Sequence, residues 1–317
     1  MPSKVVAVAP GEIALIDFDR QAVGTDEVAG PTIATVLSPG TELAVAYGTR
    51  DSIPLPADLG YSAVFRVEEV GRDASGWAPG DLGVTLGPHA SWQRRSADDV
   101  LHVPSGLTPR TATFARLMNV PMSAVATSAS RPGRRAAVLG LGLIGQLTAR
   151  VLQASGFNTV AADASEIRRN LLPPSIPAFD TLADESVDFL VECSGTEGGV
   201  NAGLRALKPG GELVLSGVPW LRRSDASAFD VLDPVFHKFL TLRSGWEWQL
   251  PWRSKQWVPS IDLATLMGQS LTWLADGIVD VSGLATTIAP EDVPDYYLAV
   301  KTRTASTLTA IVEWEKQ

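Results

Sequence analysis

The chain has 317 residues, 45% of them apolar and 19% charged; this excludes a disordered protein, and the length exceeds what one hydrophobic core usually serves. Its 26 basic and 35 acidic residues leave a net charge of -9, which repels a phosphate backbone and an anionic membrane face and so excludes nucleic acid as the expected partner. The single cysteine, Cys193, excludes an intramolecular disulfide, and with 3 histidines it offers little for a cysteine-rich metal site.

The opening MPSKVVAVAPGEIALIDFD reaches glycine and acidic residues too early for a signal-peptide apolar segment, and no run of about 18 apolar residues follows. The expectation is a soluble protein of the reducing cytoplasm with no membrane partner. Residues 4–8, 31–37 and 62–70 are short alternating or β-branched runs between Gly, Pro and Asp turns, and predict strands of a β-rich domain. From Arg134 the pattern changes. AAVLGLGLIGQLTARVLQASG predicts a buried strand, a glycine turn and a helix ending at Gly156. Residues 158–162, 187–193 and 212–218 predict further buried strands, and strands spaced by helices imply right-handed parallel crossovers. Between Asp163 and Val187 the prolines of LLPPSIP exclude a long helix, so a shortened crossover and a more open adenine pocket are expected there. After a strand-like 240–245 come a Trp-rich stretch, a helix over 262–275 and a terminal strand over 307–314. The simplest architecture is a nucleotide-binding domain at 123–249 inserted into a β-rich domain built from 1–122 and 250–317.

Gly140, Gly142 and Gly145 form G-x-G-x-x-G between the strand and the helix. The first glycine permits the tight turn, the second lets backbone approach a pyrophosphate, and the third lets helix and strand pack closely. Leu143 and Ile144 open the helix, whose unpaired N–H groups and dipole face the phosphate. Asp163 ends the next strand, where a carboxylate accepts the ribose hydroxyls and repels a 2'-phosphate. NAD(H) is therefore favoured. Arg168, with Arg169, lies close enough to leave NADP(H) open.

Several stretches in the same order resemble the medium-chain dehydrogenase/reductase family: SPGTEL (38–43), LGYSAVFRVEEVG (59–71), APGDLGV (78–84), the glycine fingerprint, VECSG (191–195) and LKPGGELVLSGVP (207–219). The resemblance implies an α/β chain with a Rossmann doubly wound sheet inserted into a GroES-like catalytic domain, the active site in the cleft between them, and a homodimer. Zinc members carry Cys-Gly-Thr-Asp where this sequence has Pro39, Gly40, Thr41 and Glu42, and Gly-His-Glu where it has Gly60, Tyr61 and Ser62; their third ligand falls near Asn119. A proline ring, a phenol and an amide are not the thiolate, imidazole or carboxylate donors tetrahedral zinc needs, and the four-cysteine lobe has no counterpart, so neither zinc is expected.

In zinc relatives the ion polarises the carbonyl, so here a hydrogen-bond donor must replace it. Tyr61 is the first candidate, against the alternative of an ordinarily packed tyrosine. Thr41 keeps the relay hydroxyl of family members, while the relay histidine's place holds Ala44. Glu42 matches an acidic residue that orients a partner or serves as a base, with a buried hydrogen bond as the plainer role. His89 is a candidate proton exchanger, or a structural histidine. The resemblance places Ser123 under the nicotinamide ring and Ser194, Gly195, Gly217 and Val218 along the cofactor. Trp246 and Trp248, with Trp252 and Trp257, would border substrate and suit a bulky, apolar or planar molecule, or pack an interface. SPGTE and RSGWEWQ are also similar to the bacteriochlorophyllide dehydrogenase branch, without fixing a substrate. Three readings stay open: hydride transfer between NAD(P)H and a carbonyl or secondary alcohol, zinc-free reduction of an activated C=C, C=N or quinone, and nucleotide binding without catalysis.

Overall fold

The computed structural model describes residues 1–49, 53–254 and 261–315. Two compact units result: Met1–Leu117 with Gly268–Gly277 and Val281–Gln317, and Met118–Met267 with Ile278–Asp280. Their borders fall at Leu117 and Met267, where the sequence pattern sets them at 122 and 249. The helices Phe114–Ala126 and Leu263–Ala275 run through both borders, and a continuous helix gives no compositional break to read.

The second unit holds six parallel strands in the order Ala178–Phe179, Asn158–Ala162, Arg135–Leu139, Val187–Glu192, Leu207–Leu215, Thr241–Ser244. This is the Rossmann doubly wound order, with its reversal between Arg135–Leu139 and Val187–Glu192. Central parallel strands are covered on both faces and therefore read as unbroken apolar runs. Ala136, Ala137, Val138, Leu190, Val191 and Val214 are all fully buried, each Val or Leu contributing about 1.5–3 kcal/mol. Helix Leu143–Ala154 stops because Gly156 turns left-handed at φ +84, letting the Phe157 N–H donate to the Leu152 carbonyl at 3.1 Å. The crossover after Asp163 is short, with one helical turn, Glu166–Arg169, and a two-residue strand.

Two strand expectations need correction. The strand expected at 212–218 begins at Leu207 and ends at Leu215. Pro209, Gly210 and Gly211 form an irregularity inside it, between the pairs Val187↔Leu207 and Phe189↔Glu212. In the first unit, the single run expected over 62–70 is two strands, Ala63–Arg66 and Glu69–Val70. The chain bends where the Arg66 carbonyl passes over Gly30 so closely that a Cβ there would lie 1.8 Å from it.

Both ends of the sequence build the first unit. Thr309–Glu313 pairs antiparallel with Glu27–Val36, which pairs in turn with Ala63–Arg66. A separate three-stranded sheet contains Ser3–Ala9, Glu12–Asp17 and Ala57–Asp58. One apolar cluster joins Val5, Leu37, Ala46, Leu59, Tyr297 and Val312, drawing the helices Pro39–Ala46 and Val293–Lys301 onto the strands. No described helix is long and apolar enough to cross a membrane.

Candidate functional site

In the second unit the glycine turn ends at an open helix terminus. Gly142 is the N-cap of Leu143–Ala154, no side chain caps it, and a Cβ added there would meet nothing within 4 Å. Gly140 takes φ +91, and a Cβ on Gly145 would lie 1.8 Å from the Gly140 carbonyl oxygen. The first and third positions thus exclude any side chain, while the second leaves space before the unpaired N–H groups of Leu143 and Ile144, a cradle that fits a diphosphate. Asp163 closes the turn: its carboxylate accepts from the Leu141 N–H at 2.7 Å and the Ser165 N–H at 2.8 Å, with Arg168 Nη1 at 3.7 Å. Two oxygens with further lone pairs remain able to accept ribose hydroxyls. Beside it, Glu166, Arg169, Pro173, Pro174 and Ala178 line a cavity of about 490 Å³.

Across the sheet reversal, Gly195 takes φ +64 and a Cβ on it would lie 2.6 Å from the Val218 carbonyl, so the turns holding Ser194, Gly195, Gly217 and Val218 touch. Glu192, absent from the sequence reading, holds this turn. Its buried carboxyl accepts from the Ser194 N–H at 2.7 Å and the Gly195 N–H at 3.1 Å, and burial pushes it up from the ordinary carboxylate range. Cys193 beside it is pushed up to about 12, first by burial and then by Glu192, which leaves the thiol protonated and unreactive. Ser123 is fully buried and donates to the Val120 carbonyl of its own helix at 2.9 Å. Asn119 is equally buried; its amide donates to Leu263 O at 3.3 Å and its Oδ1 has no partner. Trp246 and Trp248 are exposed; Trp257 lies outside the described residues.

In the first unit, four sequence candidates meet in one polar cluster. Glu42, on helix Pro39–Ala46, is 2% exposed and accepts from the Ser38 N–H at 2.6 Å, from His89 Nε2 at 2.8 Å and from the Tyr297 hydroxyl. His89 is wholly buried, with Nδ1 2.8 Å from Thr35 Oγ1. Trp314 Nε1 donates to that same oxygen at 3.1 Å, so the one hydroxyl proton of Thr35 is left to point at Nδ1. An imidazole protonated on Nε2 satisfies every group in the chain from Trp314 to Glu42. Burial, then the charge of Glu42, holds the Tyr297 phenol well above its ordinary value. His89 and Glu42 are therefore engaged on every polar atom.

Tyr61 is half-buried at the edge of this cluster. Its hydroxyl donates to Ser38 Oγ and also bonds Thr41. Burial pushes the phenol up to about 12; the Arg116 guanidinium opposes that and the Glu42 charge adds to it. Arg116 is 3% exposed, its guanidinium 4.9 Å from the centre of the Tyr61 ring. Ser38, Tyr297, Thr35 and Arg116 escaped sequence reasoning. Only Ser38 carried a signal, as the hydroxyl residue before Pro39 at a helix start.

No family model matches the chain. L-galactonate-5-dehydrogenase of Escherichia coli (strain K12) is 27% identical over 154 residues, 44% of this chain and 44% of that protein, so the match spans less than half of either. Solved structures cover far more. Galactitol-1-phosphate dehydrogenase from Escherichia coli superposes with a TM-score of 0.83 at 14% identity, covering 98% of this chain and 99% of its own. Acetophenone reductase from Geotrichum candidum, solved in complex with NAD, gives 0.82 at 13% identity, with 98% and 97% covered. The chain has the fold that these solved dehydrogenase and reductase structures share. The positions that the sequence resemblance sets against zinc ligands hold Pro39 at the first turn of a helix, Tyr61 donating to Ser38, and Asn119 donating to a carbonyl. Those side chains do not fit a zinc ion, and among the described residues no three His, Cys, Asp or Glu gather as a metal-binding group.

Proposed function

We propose that this chain is a medium-chain dehydrogenase/reductase that moves a hydride between a nicotinamide cofactor and a carbonyl or secondary alcohol of a bulky or planar small molecule, without zinc. The observation that carries the reading is the uncapped helix terminus at Gly142, open to a ligand and flanked by two glycines that tolerate no side chain. Gly140, Gly142, Leu143, Ile144 and Gly145 would hold the diphosphate and Asp163 the ribose, which favours NAD(H); Arg168, close to Asp163, keeps NADP(H) accessible. Ser123, Ser194, Gly195, Gly217 and Val218 would border the nicotinamide ring, and Asn119, Trp246 and Trp248 the substrate. When bound, the nicotinamide supplies or accepts the hydride.

Tyr61 gives its phenolic proton to the developing substrate oxyanion and takes it back in the reverse direction, with Thr41 and Ser38 as its hydroxyl partners. Glu42 and His89, sealed from solvent, act by fixing the helix that carries Thr41. The same reading takes the protein as a cytoplasmic homodimer acting on a small molecule, on the strength of the family resemblance. Fluorescence titration with NADH and NADPH, followed by turnover on carbonyl, quinone and enone panels, tests it. Tyr61→Phe is expected to lower carbonyl turnover at least about tenfold with cofactor binding intact. Unchanged turnover removes Tyr61 from the reaction, and absence of binding removes the reading itself.

A further inference from the structure

Given the proton-donor role proposed for Tyr61, we infer that Arg116 is a positioning residue for that reaction: its guanidinium, set over the Tyr61 ring, stabilises the tyrosinate left when the phenol hands its proton to the substrate. In that step the phenolic O–H bond breaks, its electron pair stays on the Tyr61 oxygen, and a new O–H bond forms on the substrate oxygen that has just gained charge from hydride addition. The reverse reaction returns the proton. The residue must therefore carry a full negative charge once in every cycle, at a half-buried position beside the Glu42 carboxylate.

The surroundings of Tyr61 divide by sign. Glu42 contributes a negative charge that opposes the tyrosinate; Ser38 and Thr41 contribute hydroxyls; Tyr297 and His89 stand behind Glu42 as its hydrogen-bond partners. Arg116 brings the positive charge. It sits on helix Phe114–Ala126, is 3% exposed, and lies 4.9 Å from the ring centre. A neutral phenol ring attracts the guanidinium only through its electron-rich face, whereas a tyrosinate attracts it with a whole charge. The attraction therefore grows as the proton leaves, which is the property a device for proton release requires. Among the influences that lower the phenol's proton affinity, the Arg116 charge is the largest, ahead of both hydroxyl hydrogen bonds.

The test places a fluorinated tyrosine at position 61, whose phenol ionises within an accessible pH range, and follows its ionisation by fluorine NMR in otherwise wild-type, Arg116→Gln and Arg116→Lys proteins. Circular dichroism and NADH titration verify the fold. Loss of the charge in Arg116→Gln is expected to raise the midpoint by at least about one pH unit, and Arg116→Lys to restore most of the difference. Should Arg116→Gln not fold, Arg116→Met gives the same reading with an apolar stem of similar length. A midpoint that stays put in a folded neutral variant, or one that moves as far in Arg116→Lys, overturns the inference. Because no turnover is measured, this outcome is separate from the Tyr61→Phe result: a shifted midpoint with unchanged Tyr61→Phe turnover would leave the pair intact as electrostatics and overturn its part in the reaction.

Discussion

Glu42 binds three donors with two oxygens, and none of the three has water to fall back on. The Ser38 N–H, His89 Nε2 and the Tyr297 hydroxyl all end on a carboxylate that is 2% exposed. Removing the acceptor strands them together, at about 1–3 kcal/mol for each unsatisfied buried group. Glu42→Ala is therefore expected to lower stability by about 3 kcal/mol or more in denaturant unfolding, and Glu42→Gln by less, since the amide keeps one acceptor. Near-wild-type stability for Glu42→Ala would instead argue that the carboxylate is held for chemistry rather than for the fold. Residue types and spacing single out Glu42, His89, Thr41 and Tyr61 as a set. They do not reveal that Glu42 meets Tyr297, 255 residues away, because nothing local in SPGTEL or in VPDYYLAVK encodes a partner that only tertiary packing supplies. For the same reason His89 is ambiguous in the sequence: an exposed imidazole and one locked between Thr35 and Glu42 look alike as a letter.

The glycine turn is the element whose sequence and structure agree most closely, and its three glycines separate folding from binding. Gly145 exists for packing, since a Cβ there would lie 1.8 Å from the Gly140 oxygen. Gly142 has φ -65 and ψ -173, a conformation open to any residue, and empty space where its side chain would be. Gly142→Ala should then fold with wild-type stability yet weaken NADH binding at least about tenfold, as the methyl group occupies the approach of the diphosphate. Gly145→Ala should lower stability and binding together. Equal NADH affinity in Gly142→Ala and wild type would show that no ligand reaches that terminus. Such a turn is legible because it depends on consecutive residues. The strand Leu207–Leu215 is less so, because Pro209, Gly210 and Gly211 look like a loop and become part of a strand only when Val187 and Phe189 offer it a register.

For the molecule as a whole, the alternation of strand and helix implied a parallel sheet and the return of a β pattern after residue 281 implied an inserted unit. Both follow from periodicity, which any segment carries on its own. The borders between units did not, because two helices cross them. Neither did the buried carboxyl at the centre of the parallel sheet, for Glu192 follows an apolar strand as any surface carboxylate does. Its proton affinity ties the stability of that unit to pH. Burial raises its pKa above the ordinary 4.5, while the Ser194 and Gly195 N–H groups pull the other way without cancelling it. The folded chain thus binds the proton more tightly than the unfolded one. The stabilisation is complete below about the ordinary carboxylate value and is lost as pH rises through the raised one. Glu192→Gln does not titrate and keeps the shape, so wild-type stability minus variant stability should fall with increasing pH above that value. Within the window the slope is bounded by about 1.4 kcal/mol per pH unit, the limit for one whole proton, and is read from amide hydrogen exchange in the strands Arg135–Leu139 and Val187–Glu192. A difference that is flat from acid to neutral pH would mean that Glu192 keeps its unfolded proton affinity, and that the Ser194 and Gly195 N–H groups fully offset the cost of burying its charge.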